Sequence, residues 1–161
     1  MIAKLVVEGK EFDIEILDPK LQELIAPKKK TGYEKMKINQ KWYYVDADDS
    51  INCVQSCVIT GEDRYKIANY YSNKTVAENN VRADTLMRQL RRFAVEHRSN
   101  DKIVERYYIY YLRDSNLLQL RRDTVNSFIG PWFDNQHAGA QAIETFKDEL
   151  IWYFTEYKDS L

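Results

Sequence analysis

Arginines carry the clearest chemical signal in this sequence, and they are concentrated in one stretch. Residues 82–98 hold five arginines against two carboxylates, and none of their basic residues is lysine. Guanidinium groups bind phosphate or carboxylate through paired hydrogen bonds and also stack on bases, which ammonium groups do not do. At about 100° per helical residue, four of these arginines fall in one arc beside an apolar arc. The four are Arg88, Arg91, Arg92 and Arg98.

Two interpretations of this basic helical face are open. It is a recognition surface for phosphates or an acidic partner, or it is a solvated face whose ion pairs contribute only about 0–1 kcal/mol each. Arg121 and Arg122 lie on an expected neighbouring strand and could extend the surface. The last expected helix has the opposite charge, with a net charge of −3 over residues 144–161. On its polar side, Glu149 and Glu156 are candidate contacts to a basic partner surface.

Residues that could support catalysis or bind metal are few. The chain has two histidines and two cysteines. His97 falls at a helix end, where a partly buried histidine is expected to bond a terminal carbonyl. Cys53 and Cys57 lack the Cys-x-x-Cys spacing of zinc and redox sites, so reduced structural thiols are expected. The sequence therefore predicts a binding protein with no catalytic residue, metal or cofactor.

Composition limits the class of protein further. The 161 residues carry a net charge of −1, which argues against both a polybasic nucleic-acid coat and an acidic mimic of DNA. Aromatic residues make up 13% of the chain and include 12 tyrosines, which suits half-buried strands and binding surfaces. No stretch approaches the roughly 20 apolar residues of a membrane span, and no secretory signal is recognisable. An intracellular protein without membrane contact is expected.

The order of the elements predicts an α+β fold of antiparallel hairpins packed against two long amphipathic helices. Residues 1–27 should form a small hairpin, with its turn at Gly9-Lys10, and a short helix from Asp18 to Pro27. Residues 28–32 read as a linker and 33–161 as the main domain. That domain divides into two β-β-β-α halves, 33–98 and 101–161. The strands expected within it are 33–38, 41–45, 52–60, 64–71, 102–112, 117–125 and 128–133.

Each half ends in a helix with a similar start. The long helix is expected from Ser72 or Asn73 to about Arg98, and the last one from Asp134 or Asn135. Segments 69–80 and 131–142 align at an offset of 62 residues. This similarity reflects either a duplication or two solutions to the same strand-to-helix junction.

Four segments together resemble a group of small proteins encoded by phages and prophages of gut Firmicutes. They are TGYEK at 31–35, WYYVDAD at 42–48, the stretch 64–98, and AIETFKDELIWYFTEYKDSL at 142–161. The resemblance covers most of the chain from Thr31 onward and is weakest over 99–133. The group is close to a type II anti-CRISPR, an inhibitor of the host's RNA-guided DNA nuclease.

The resemblance implies a protein of the host cytoplasm whose partner is a type II Cas nuclease, with or without its guide RNA. It implies no particular contact residues. The opposed helix charges favour a mixed mode of binding, in which the acidic helix meets basic nuclease surface and the arginines face guide RNA or an acidic lobe. The alternatives are a phage nucleic-acid-binding module and a structural or interaction protein. The sequence does not predict the oligomeric state.

Overall fold

The computed structural model describes residues 2–7, 10–21, 30–37, 39–55, 58–98, 105–123 and 131–158. Across these ranges the fold is α+β, as predicted. The chain divides into two compact units, Met1–Thr31 and Gly32–Leu161. The division into two β-β-β-α halves stays a prediction.

The first unit contains the expected hairpin, in which β1 (Ile2–Val7) pairs antiparallel with β2 (Lys10–Glu15). Lys10 pairs with Val7, so it belongs to the strand and not to the predicted turn. A helical turn begins at Pro19, and the Asp18 carboxylate accepts a hydrogen bond of 2.8 Å from the Lys20 amide, as a helix cap does. The predicted end of this helix at Pro27 lies outside the described residues.

In the second unit, β3 (Lys41–Val45) pairs antiparallel with β4 (Ile51–Gln55). The strand predicted over 64–71 is wrong, because α1 (Val58–Lys66) occupies its first three residues and 67–70 form a turn and irregular backbone. Only Tyr71 retains strand pairing, through two backbone hydrogen bonds of 2.8 Å with Tyr43. The strand predicted over 52–60 ends at Gln55 for the same reason.

Packing explains why this segment is helical. A Cβ added at Gly61 of α1 would lie 3.6 Å from the rings of both Trp42 and Tyr70, and those two rings stack at 4.5 Å. The close approach of the helix to this pair overrides a sequence rich in strand-forming residues. The strand predicted over 33–38 is also wrong over its described residues, 33–37. Their backbone bonds to a side chain instead, since the Tyr70 hydroxyl accepts from the Met36 amide at 3.0 Å.

The long helix, α2 (Lys74–Glu96), spans 23 residues and begins at the predicted cap. The Asn73 side chain accepts a hydrogen bond of 2.8 Å from the Thr75 amide. At the other end, His97 Nδ1 lies 2.9 Å from the Phe93 carbonyl oxygen, as expected. The His97 ring is exposed and not partly buried, and it stacks on the Phe93 ring at 3.8 Å.

The second hairpin joins β5 (Arg106–Leu112) to β6 (Leu117–Asp123) in antiparallel register. Asn116, with φ of +53°, takes the left-handed conformation in the connecting turn. Phe133 pairs with Tyr107 through backbone hydrogen bonds of 2.8 and 2.9 Å. Of the described residues in the third strand predicted over 128–133, Phe133 alone pairs, as an isolated bridge, and 131–132 are not strand.

The last helix is not one continuous α-helix. It consists of α3 (Gln136–Thr145), α4 (Lys147–Trp152) and a π-helical turn (Tyr153–Tyr157). Asn135 caps α3 by accepting a 2.7 Å hydrogen bond from the Ala138 amide. The break falls at Phe146, whose φ of −113° leaves the helical region while its ring packs edge-on against Phe93.

The main core lies between the β5–β6 hairpin and the helices α2, α3 and α4. Phe133 is fully buried at its centre. The other buried members are Leu86, Leu90, Ile109, Ala138, Ala142 and Leu150. In both halves, an aromatic residue that pairs with a hairpin is followed two positions later by an asparagine cap. This shared junction is expected both from a duplication and from two independent solutions to the same strand-to-helix connection.

Candidate functional site

Four arginines of α2 and its C-terminal end form what is called here the arginine row. They are Arg88, Arg91, Arg92 and Arg98, and all four are exposed. Arg88, Arg91 and Arg92 lie on neighbouring turns of α2 at spacings of three and four residues, and Arg98 follows two residues after the helix ends. Val95, between them, is 69% exposed. The helix therefore holds these guanidinium groups outside the core.

The arginines of the row differ in the contacts that they make. Arg88 donates to the Asp49 carboxylate at 2.5 Å and to the Thr85 hydroxyl at 3.0 Å. Arg92 lies 3.7 Å from Glu96, one turn further along the same helix. Arg91 and Arg98 form no ion pair with any other described residue. Because exposed pairs contribute only about 0–1 kcal/mol, the row can exchange these contacts for a partner at little cost.

Arg82 links α2 to α4 and binds one of the two carboxylates that were predicted to contact a partner. Its guanidinium donates to both oxygens of Glu149, at 2.7 and 2.9 Å. The same group lies 3.9 Å from the centre of the Trp152 ring. Glu149 is therefore bonded within the fold, whereas Glu156 is exposed.

The pair between Arg82 and Glu149 gives a testable dependence of stability on pH. Its hydrogen bonds lower the pKa of Glu149 below the ordinary value of 4.5. A carboxyl whose pKa is lower in the folded state stabilises the fold above its unfolded pKa, and this contribution is lost as the pH falls through the folded value. Glu149→Gln is expected to lower the free energy of unfolding by about 0.5–1 kcal/mol at pH 7, and the difference from wild type should shrink towards zero as the pH falls through the lowered pKa of Glu149.

Urea denaturation of both proteins at pH 7 and pH 3 would measure this difference. Glu144→Gln is the matched control, because Glu144 is exposed on α3 and forms no ion pair with another described residue. It should change the free energy of unfolding by less than about 0.5 kcal/mol. A Glu149→Gln effect of equal size at both pH values would contradict the assigned ion pair.

The structure places Arg121 and Arg122 on β6. The Arg122 guanidinium lies 2.9 Å from the Glu105 carboxylate. The Arg121 guanidinium carbon lies 4.1 Å from the centre of the Tyr110 ring. Adjacent strand residues point to opposite faces of a sheet, so these two arginines do not act on the same surface.

A cleft at the C-terminal end of the arginine row adds residues that the sequence analysis missed. Arg98 lines this cleft of about 280 Å³ together with Arg106 and Trp132. Its other lining residues are Ala94, Val95, Phe133 and Asp134. The alternation along residues 106–112 could have indicated that Arg106 lies on the outer face of its strand. The sequence did not show that Trp132 would lie beside it.

A second, polar cleft lies beside Arg88 and has a volume of about 500 Å³. Asn80 lines it and links two phenols, donating to the Tyr33 oxygen at 2.7 Å and accepting from the Tyr157 hydroxyl at 3.0 Å. Burial, followed by the nearby Tyr33 and Asp84, raises the pKa of Tyr157 to about 12. Tyr157 therefore stays protonated and donates its hydrogen bond in the ordinary pH range.

Comparison with known proteins adds no assignment to these surfaces. No protein-family model matches the chain, and no curated protein or solved structure matches it. No helix among the described residues is long and apolar enough to cross a membrane. Within the same residues, no group of three or more His, Cys, Asp or Glu side chains could hold a metal ion.

Proposed function

We propose that this protein is a phage-encoded inhibitor of a type II RNA-guided DNA nuclease and acts inside the host cell by direct binding. Two observations support this proposal. The structure exposes the guanidinium groups of Arg91, Arg92 and Arg98, and segments within 31–98 and 142–161 resemble the phage-encoded group described above. Such nucleases hold their guide RNA in positively charged channels. An arginine surface therefore binds the guide RNA or an acidic lobe and not the channel wall.

Exposed carboxylates on the last helices supply the second half of the proposed contact. Glu144 and Asp148 are exposed on α3 and α4, and Glu156 is exposed in the turn that follows. They offer negative charge to a basic nuclease surface, and complementary charge of this kind speeds association and selects the partner. Glu149 contributes less, because a partner would first have to displace Arg82.

Charge reversal of the arginine row tests this proposal. Arg91→Glu combined with Arg92→Glu should raise the protein concentration needed for half-inhibition of DNA cleavage by at least about tenfold, because like charges placed against each other cost several kcal/mol and 1.4 kcal/mol is tenfold. The measurement is cleavage of linear DNA by purified type II nuclease loaded with guide RNA. Co-elution with that complex on gel filtration gives a second readout.

The matched control is Lys41→Glu combined with Lys66→Glu, which makes the same change in net charge on exposed residues of β3 and α1. This control should inhibit like wild type. If the arginine variant also inhibits like wild type, the arginine row is not the contact. If the wild-type protein neither inhibits nor co-elutes with type II nucleases of gut Firmicutes, the proposed function is wrong.

A further inference from the structure

The face of the β5–β6 sheet that points away from the core carries an unusual set of side chains. Alternation along β5 buries Ile109 and Tyr111 against the helices, so Tyr108 and Tyr110 point to the opposite face. Phe133 is buried beside β5, and its neighbour Trp132 therefore shares the outer face. The set called here the aromatic face consists of Arg106, Tyr108, Tyr110, Arg121 and Trp132.

Contacts among these side chains confirm that they share one surface. The rings of Tyr108 and Trp132 meet edge-on at 6.1 Å. The Arg106 guanidinium carbon lies 5.9 Å from the centre of the Trp132 ring, and Arg121 lies over Tyr110 at 4.1 Å. Arg121 also pairs in register with Tyr108. Rings and cations thus alternate across two strands and the segment beside them.

All three rings of the aromatic face are partly exposed, and both arginines are exposed. A single ring on a sheet surface is explained by stability, because a cross-strand aromatic pair stabilises the sheet by about 0.2–1 kcal/mol. This stabilisation does not explain why two guanidinium groups lie beside three rings on the outer face. Proteins that bind single-stranded nucleic acid combine these same groups, since bases stack on the rings and arginines neutralise phosphates.

We infer that the aromatic face binds single-stranded nucleic acid, RNA or DNA. The cleft lined by Arg98, Arg106 and Trp132 connects this face to the end of the arginine row, which adds positive charge at its edge. Asp134 lines the same cleft, and its carboxylate offsets part of this positive charge. Stacking on the rings therefore supplies most of the affinity, and because few cations contact phosphate the dependence of binding on salt is shallow.

This inference goes beyond nuclease inhibition, because it requires no nuclease. The test is fluorescence anisotropy of labelled oligouridine and oligodeoxythymidine of about 12 nucleotides, a length within the usual range for one binding domain. Tyr110→Leu should weaken binding about 5- to 100-fold, the effect of losing one stacked base. Tyr110→Phe keeps the ring and should stay within about twofold of wild type.

Two controls separate lost stacking from lost folding. Thermal unfolding of Tyr110→Leu should remain cooperative, since leucine preserves apolar contact on the strand. Tyr65→Leu removes a tyrosine that is 43% exposed on α1 and should leave binding unchanged. The corresponding pair Trp132→Leu and Trp132→Phe repeats the comparison at a second ring.

Three results would each overturn the inference. The first is that wild type binds neither oligonucleotide at about 100 µM protein, the weak end of non-specific affinity. The second is equal binding by Tyr110→Leu and Tyr110→Phe. The third is tighter binding of a duplex of the same length. The assay contains no nuclease, so its failure leaves the proposed inhibition standing. Conversely, loss of inhibition in the cleavage assay would leave strand binding standing.

Discussion

Phe133→Ala is expected to lower the free energy of unfolding by about 3–5 kcal/mol, the range for removing a fully buried phenylalanine ring. Phe133 has no exposed surface and lies in the main core with Leu86, Leu90 and Ile109. Its backbone is fixed by two hydrogen bonds to Tyr107. Because these bonds keep the backbone of residue 133 in place when the ring is removed, the chain does not move into the space, and most of the transfer and cavity cost remains.

Urea denaturation followed by circular dichroism would measure this loss. Leu117→Ala serves as the control, since Leu117 is 47% exposed on β6 and should change stability by less than about 0.5 kcal/mol. A Phe133→Ala effect below about 1.5 kcal/mol would contradict the assignment of Phe133 to the centre of the core. Because Trp132 is its neighbour, the same variant should also weaken binding at the aromatic face.

Features set by short-range chemistry could be predicted from the sequence. Asn73 and Asn135 cap their helices through bonds to amides two and three residues away, so the residues that decide the geometry are adjacent in the chain. The bond from His97 to Phe93 is of the same local kind. Hairpins whose strands are close in sequence were predictable for the same reason.

The errors arose where distant packing decides the local structure. Residues 64–71 contain tyrosines and isoleucine that favour strands, but α1 occupies the first three of them and packs its Gly61 against Trp42 and Tyr70. The last helix breaks at Phe146, although its apolar spacing is helical throughout. Neither outcome is encoded in the period of the apolar residues, because period identifies an amphipathic face and not the shape of the surface that it meets.

The candidate site shows the same difference between features set by neighbouring residues and features set by distant packing. Helical periodicity indicated that the arginine row would be exposed, whereas its ion partners could not be read from the sequence. Arg82 and Glu149 are 67 residues apart, and Arg88 and Asp49 are 39 apart. Recognition of the aromatic face required knowing that Phe133 pairs with Tyr107. These relations depend on tertiary contacts, so they emerge only from the folded chain.

Gly32→Ala is expected to lower the free energy of unfolding by about 2–4 kcal/mol, from backbone strain and overpacking together. Gly32 has φ of +88°, in the region that favours glycine. A Cβ there would clash with Val76 Cγ2 and lie 3.0 Å from Val76 Cβ. Val76 lies in the first turns of α2, where a β-branched side chain is largely confined to one rotamer. The Gly32 carbonyl also accepts a 2.7 Å hydrogen bond from the Ser72 amide, so the loop cannot retreat without losing it.

A double-mutant cycle with Val76→Ala separates the two causes of this loss. Val76→Ala removes both γ-methyl groups and hence the closest clash, but leaves the φ of residue 32 unchanged. The double variant should therefore be more stable than the sum of the single effects by about 1 kcal/mol or more, the size of coupling seen between contacting residues. A coupling below about 0.5 kcal/mol would mean that strain in the backbone alone sets the cost. Glycine would then be required at position 32 for its dihedral angle, and the contact with α2 would impose no further restriction.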